Sequence, residues 1–160
     1  MINHFFNLNL EVKYELDLNL LEKNYLELQQ KYHPDKSLSD LDKSIAINES
    51  YKILSNPTLR AEHLLELQNI FLDDDQKSLK PDIEILKEII LLQENIEDCQ
   101  NIEQLNGYQQ SIDNQCADLI LQFLKNYQNK NFEIAGQNII KIKYLKKTSL
   151  MIKTKLNFIK

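Results

Sequence analysis

The run Lys31-Tyr32-His33-Pro34-Asp35-Lys36 sets an imidazole and a carboxylate two residues apart, with a proline between them. That pairing could serve acid–base chemistry, but only inside a pocket that keeps water from the reacting groups. The residue before a proline is driven out of the helical region, so a helix entering this run is expected to end at His33. Pro34 is held near a φ of about −65° and has no backbone N–H to donate. The predicted result is a stiff turn that presents His33, Pro34 and Asp35 to solvent between Lys31 and Lys36. An open turn suits gripping a partner better than transforming a substrate, and the chain is not expected to be an enzyme.

The remaining residues that could do chemistry do not cluster. His4 and His63 read as packed or surface histidines, and Cys99 and Cys116 have no Cys or His at zinc spacing. Neither a metal nor another cofactor is expected, and the two thiols read as free cysteines of a reducing cytoplasm. No run approaches the ~20 apolar residues of a membrane span, and the first residues lack the basic stretch of a secretory leader. The net charge of −5 is uneven: residues 1–133 hold all 24 acidic groups against 12 basic ones, a balance of −12. Residues 134–160 carry seven lysines (141, 143, 146, 147, 153, 155 and 160) and no acid, a balance of +7. This tail has no Arg and is interleaved with Ile, Leu and Met. It reads as a helix with lysines toward solvent and acidic neighbours, and nucleic acid is not an expected partner.

Helices must position the His-Pro-Asp turn. With 42% hydrophobic residues, 2 Gly and 3 Pro, the chain can bury a core but has few residues for tight β-turns. Asp17 is a fitting N-cap for a helix over about 18–32, and Leu21, Tyr25, Leu28 and Tyr32 fall on one face of it. A helix over about 41–54 carries Ser44, Ile47, Tyr51 and Leu54 at matching spacing. The two predict an antiparallel hairpin with the turn at its tip. Asn56-Pro57 starts a further helix over about 57–69, with Asn as cap and Pro at the first helical position. Phe5, Phe6, Leu8 and Leu10 are expected to lie across the hairpin.

Residues 71–81, with Asp73-Asp74-Asp75 among them, are polar and aperiodic and read as a linker. Helices over about 82–98, 101–127 and 131–157 follow, and their short junctions predict an antiparallel three-helix bundle. The segment 82–98 has two adjacent apolar rows, Ile85/Ile89/Leu92/Ile96 and Ile83/Leu86/Ile90. Together they span about half the circumference, wider than the ~100° stripe of a surface helix. Either both rows are buried or one is a docking surface; periodicity alone favours burial.

These residues resemble the HscB co-chaperones of iron–sulfur cluster assembly, which join an N-terminal J domain to a C-terminal helical bundle. The likeness rests on Tyr32-His33-Pro34-Asp35-Lys36, on Ile47-Asn48 followed by Tyr51 and Leu54, and on Asn56-Pro57. Arg60-Ala61-Glu62-His63-Leu64-Leu65 separates the family from other J proteins. Phe132, Ala135, Ile139 and Lys143-Tyr144-Leu145 followed by Lys147 are similar to its closing signature. The resemblance implies an all-α protein with a J domain over 1–70, a linker over 71–81 and a scaffold-binding three-helix bundle over 82–160.

It further implies a cytoplasmic co-chaperone without a cofactor. One partner would be a DnaK-class ATPase of the HscA type, met by His33, Pro34, Asp35 and Lys36, with Lys31 and Lys23 beside them. The other would be the cluster scaffold of the IscU type, met by Ile85, Leu86, Ile89, Ile90, Gln93 and Tyr144. Two departures stand out. Leu26, Glu27 and Gln30 occupy positions where many J domains are basic or polar, so electrostatic steering should be weak and the chaperone partner narrow. Ile90 and Gln93 replace acidic residues, so the docking surface should be greasier. A general J-domain protein delivering unfolded clients is the alternative; it would accept many hydrophobic clients, whereas an HscB would respond mainly to the scaffold.

Overall fold

The computed structural model describes residues 2–32, 40–72 and 77–159. Among these it contains helices and no strands: α1 (His4–Asn7), α2 (Leu18–Lys31), α3 (Leu41–Ser55), α4 (Pro57–Glu66), α5 (Ile83–Asp98), α6 (Ile102–Gln128) and α7 (Phe132–Ile159). The all-α expectation therefore holds. The chain divides into two compact units, Met1–Asn69 and Ile70–Lys160.

In the first unit, α2 and α4 start at side-chain caps. Asp17 Oδ1 accepts the N–H groups of Asn19 and Leu20 at 2.9 and 3.2 Å, and Asn56 Oδ1 accepts those of Thr58 and Leu59 at 2.9 and 3.2 Å. Each cap satisfies donors that a helix cannot pair by itself. α2 and α3 are antiparallel. Tyr25 stacks on Tyr51 with ring centres 4.1 Å apart, and Tyr32 near the α2 end meets Lys43 near the α3 start. Leu21, Ile47 and Leu54 fill the space between the helices, as their spacing predicts.

Phe5, Leu8 and Leu10 close this core from the N-terminal side, but Phe6 does not join them: it is 68% exposed. One residue advances a helix by about 100°, so the turn that drives Phe5 inward turns Phe6 outward. α4 also ends earlier than its apolar pattern predicts. Gln68 and Asn69 donate to the carbonyls of Leu65 and Glu66, tightening the last turn, and Asn69 takes the left-handed conformation with φ 61°.

The second unit is an up-down-up bundle. α6 and α7 are antiparallel and tied by Asn126 to Asn138 at 3.1 Å and Ser149 to Gln109 at 2.8 Å. α5 runs parallel to α7, with Gln93 reaching Thr148 and, further along, Lys155 reaching the carbonyl of Ile96. Leu105, Ile112, Leu119 and Phe123 of α6 meet Ala135, Ile139, Ile142, Leu145 and Ile152 of α7 in the core, with Ile89 and Ile96 from α5.

Two details depart from the sequence reading. Residues 71–81 are not all solvated connection: a Cβ on Gly136 would stand 2.5 Å from Leu79 and 3.5 Å from Leu72, so α7 dispenses with a side chain where this segment crosses it. Among the lysines of α7, Lys141 meets an acidic neighbour as expected, Glu88 at 2.6 Å, whereas Lys155 donates to the carbonyls of Ile96 and Glu97, where α5 ends with its dipole negative.

Candidate functional site

In the first unit the helix carrying predicted partner contacts is α2, with Lys23 and Lys31. His33, Pro34, Asp35 and Lys36 lie outside the described residues. Leading up to them, α2 is helical through Lys31, and Tyr32 still donates its N–H to Leu28 at 3.0 Å. Lys31 and Lys43 both stand over the Tyr32 ring, at 5.1 and 4.7 Å from its centre. Lys23 is exposed one turn before Glu27 and pairs with it loosely at 4.0 Å. The positive charge expected on this helix is thus partly cancelled by its neighbour.

The run Arg60–Leu65, which the sequence marks as distinctive, proves to be buried. Arg60 donates through Nε to the carbonyl of Leu54 at 2.8 Å and through Nη1 to that of Tyr14 at 2.7 Å, and stands 5.3 Å from the Tyr14 ring. Burial lowers its pKa from the ordinary arginine value, and Tyr14 opposes that shift. His63 Nε2 accepts the backbone N–H of His4 at 3.1 Å, a role open only to an unprotonated ring nitrogen. Its Nδ1 then donates to Glu66 at 3.2 Å. Ser50 gives its proton to the Ala46 carbonyl, so it accepts from His4 Nδ1 at 2.9 Å and from Asn7 at 3.0 Å. Burial, and secondarily the charge of His63, lowers the pKa of His4, while Glu49 and Glu66 oppose the shift. These groups hold the N-terminal segment to α3 and α4. They resemble a Ser–His site in composition only, because Ser50 is fully buried and its oxygen is committed.

In the second unit α5 separates its two apolar rows. Ile89 and Ile96 are buried, and Ile85 and Leu92 are half-buried beside them. Ile83 and Ile90 are 63% and 54% exposed, and Leu86 is half-buried at the edge of their row. Burial of both rows, favoured by periodicity alone, is therefore corrected: α5 packs on α7 along one side, and Ile83 and Ile90 of the second row are exposed. Ile89 also needs correction as a contact residue. At 3% exposure it belongs to the core and supports the surface from below. Gln93 is turned to the hydroxyl of Thr148 at 3.1 Å, one turn after Tyr144 on α7. Seven residues separate Gln93 from Leu86, which returns to nearly the same side of the helix. Tyr144 thus lies along the flank of α5 that carries Leu86.

Tyr144 is half-buried in a groove of about 110 Å³, bounded by Leu72, Leu79, Pro81, Ile140, Lys143 and Lys147. Sequence reasoning missed the walls from Leu72, Leu79 and Pro81 because they sit in a stretch whose polarity reads as linker. It also missed Leu91, 60% exposed on α5, whose position outside both rows gives no periodic signal. Among the described residues no helix is long and apolar enough to cross a membrane.

Two family models match the chain: a DnaJ domain over residues 7–63 and the HSCB C-terminal oligomerisation domain over residues 81–153. The co-chaperone protein HscB homolog of Acinetobacter baumannii is 31% identical over 149 residues, covering 91% of this chain and 86% of that protein. Co-chaperone protein HscB of Proteus mirabilis is 26% identical over 158 residues, with 91% of each chain covered. Among solved structures, chaperone HscB from Vibrio cholerae superposes with a TM-score of 0.79 at 25% identity over 96% of both chains. The human co-chaperone HscB superposes with a TM-score of 0.83 at 21% identity, over 97% of this chain and 82% of that one.

Proposed function

Since this chain belongs to the HscB family, the J-domain co-chaperones of iron–sulfur cluster assembly, we propose that it joins an HscA-type ATPase to an IscU-type scaffold. A J-domain co-chaperone acts on a DnaK-class partner. In this reading residues 1–70 form the J domain, 82–160 the scaffold-binding bundle, and 71–81 the link, and the protein works in the cytoplasm. It performs no catalysis itself. His33, Pro34 and Asp35 trigger hydrolysis in the partner, where a fixed carboxylate offers an arginine charge-assisted hydrogen bonds. Lys31, Lys36 and Lys23 supply what positive charge the contact has. The scaffold lies on Leu86 and Ile90, with Ile85, Gln93 and Tyr144 at the margin, so that the client is present when hydrolysis closes the chaperone.

The observation that carries the second half is the exposed row on α5, Ile83 and Ile90 with Leu86 at its edge, in the unit that the HscB-specific domain matches. Single aliphatic side chains at the centre of an interface commonly contribute ~1–2 kcal/mol each. The Leu86→Ser, Ile90→Ser double variant should bind the scaffold on the order of 30-fold to 1000-fold more weakly by calorimetry. Because Ile90 is exposed and Leu86 half so, its thermal unfolding should shift little. Undiminished binding would contradict the assignment.

A further inference from the structure

α5 packs chiefly on α7, and side-chain links among the described residues join these parallel helices at several levels. Lys141 pairs with Glu88 at 2.6 Å, Gln93 Nε2 donates to Thr148 Oγ1 at 3.1 Å, and Lys155 donates to the carbonyl of Ile96 at 2.9 Å. The Gln93 link differs from the others in where it leads. Thr148 is fully buried, and its hydroxyl donates its single proton to the carbonyl of Tyr144 at 3.1 Å. The oxygen can then only accept, so Gln93 must meet it with the amide nitrogen. A hydrogen-bonded path therefore runs from α5 through Thr148 to the backbone of Tyr144. The apolar residues of α5 cannot fix this alignment by themselves. Ile85, Ile89, Leu92 and Ile96 recur every three or four residues and are nearly equal in volume. A slip of one turn, about 5.4 Å, replaces one aliphatic group by another at small cost. The same slip separates Gln93 from Thr148, so the polar pair selects one register.

We infer that Gln93 and Thr148 are positioning residues for the scaffold surface: their bond sets the height and rotation of α5 on α7. The inference rests on the scaffold-binding reading and gives Gln93 a role within the bundle rather than against the scaffold. Leu86 lies seven residues before Gln93, and Tyr144 lies four before Thr148. At about 1.5 Å per residue, the pair holds Leu86 and Tyr144 about 4–5 Å apart in height along parallel axes. Without the link only a fraction of molecules presents both helices in the binding register, and the apparent affinity falls by that fraction.

The test is a double-mutant cycle in the full chain, read as affinity for an IscU-type scaffold by calorimetry and as stability in urea. Gln93→Met and Thr148→Val remove the polar groups at nearly constant volume. Each should weaken scaffold binding about fivefold or more, and the double variant should be no weaker than the worse single, because both break one link. Lys155→Met, which cuts the link at the far end of α5, should lower the urea midpoint yet leave scaffold affinity within about twofold. Wild-type affinity in Thr148→Val, whose side chain is buried beyond a partner's reach, overturns the inference. Additive losses in the double variant do so too, because they make Gln93 a direct contact. Affinity losses that follow stability in every variant, Lys155→Met included, would show a structural role only and equally overturn it. If wild type fails to bind the scaffold, the scaffold-binding reading itself falls, and the positioning role with it.

Discussion

At the residue scale the most consequential feature is the buried polar set that ties the N-terminal segment to α3 and α4. His63 Nε2 accepts the His4 N–H, and Ser50 accepts from the His4 ring. The pKa of His4 lies below its usual 6.5, chiefly through burial. On acidification the unfolded chain therefore takes up the proton first. This contribution to stability is complete above about pH 6.5 and is lost as pH falls from there through the lower, folded-state value. The thermal unfolding temperature should fall between pH 7.5 and 5.0, and His4→Gln should flatten that decline. An equal slope in wild type and variant would show that other groups carry it. None of this network was legible beforehand, since two histidines 59 residues apart give no signal of their meeting. Arg60 was legible as distinctive, but the carbonyls it serves, on Leu54 and Tyr14, become visible only once the chain is folded.

At the scale of elements the starts of helices were readable because they are local. Asp17 and Asn56-Pro57 announce caps through chemistry contained in three or four residues. Their ends were less so. α4 stops at Glu66 because Asn69 adopts a left-handed conformation, although Leu64, Leu65 and Leu67 continue an apolar pattern. The join of α6 to α7 uses the same device. Lys130 has φ 60°, and Asn131 donates back to the Asn126 carbonyl at 2.9 Å, closing a Schellman motif. A lysine is strained there and glycine is not, so Lys130→Gly should stabilise the bundle by about 0.5–1 kcal/mol. A higher urea midpoint with an unchanged slope would verify this; a lower midpoint would contradict it. α5 shows why pattern alone stalls. A half-circumference of Ile and Leu states that something covers the helix, but not whether that is α7 or another protein. The structure assigns Ile89 and Ile96 to the core and leaves Ile83 and Ile90 in water.

At the scale of the whole molecule, the proposal gives each of the two units its own share of a co-chaperone's work. The acidic balance of residues 1–133 and the basic one of 134–160 are partly reconciled inside the bundle, where Lys141 meets Glu88 and Lys155 caps α5. Lysines that could have read as a nucleic-acid tail thus brace one helix against another. Division of labour also predicts separable defects: changes at the His-Pro-Asp segment should leave the scaffold bound, and changes on the outer row of α5 should leave basal stimulation untouched. The measurement that bears most directly on this account is ATP turnover by the cognate chaperone, alone, with this protein, and with this protein and scaffold together. The account predicts modest stimulation by the protein, greater stimulation when scaffold is added, and loss of both in His33→Gln with scaffold affinity unchanged. Full stimulation by His33→Gln, or equal enhancement by any unfolded client in place of the scaffold, would contradict it.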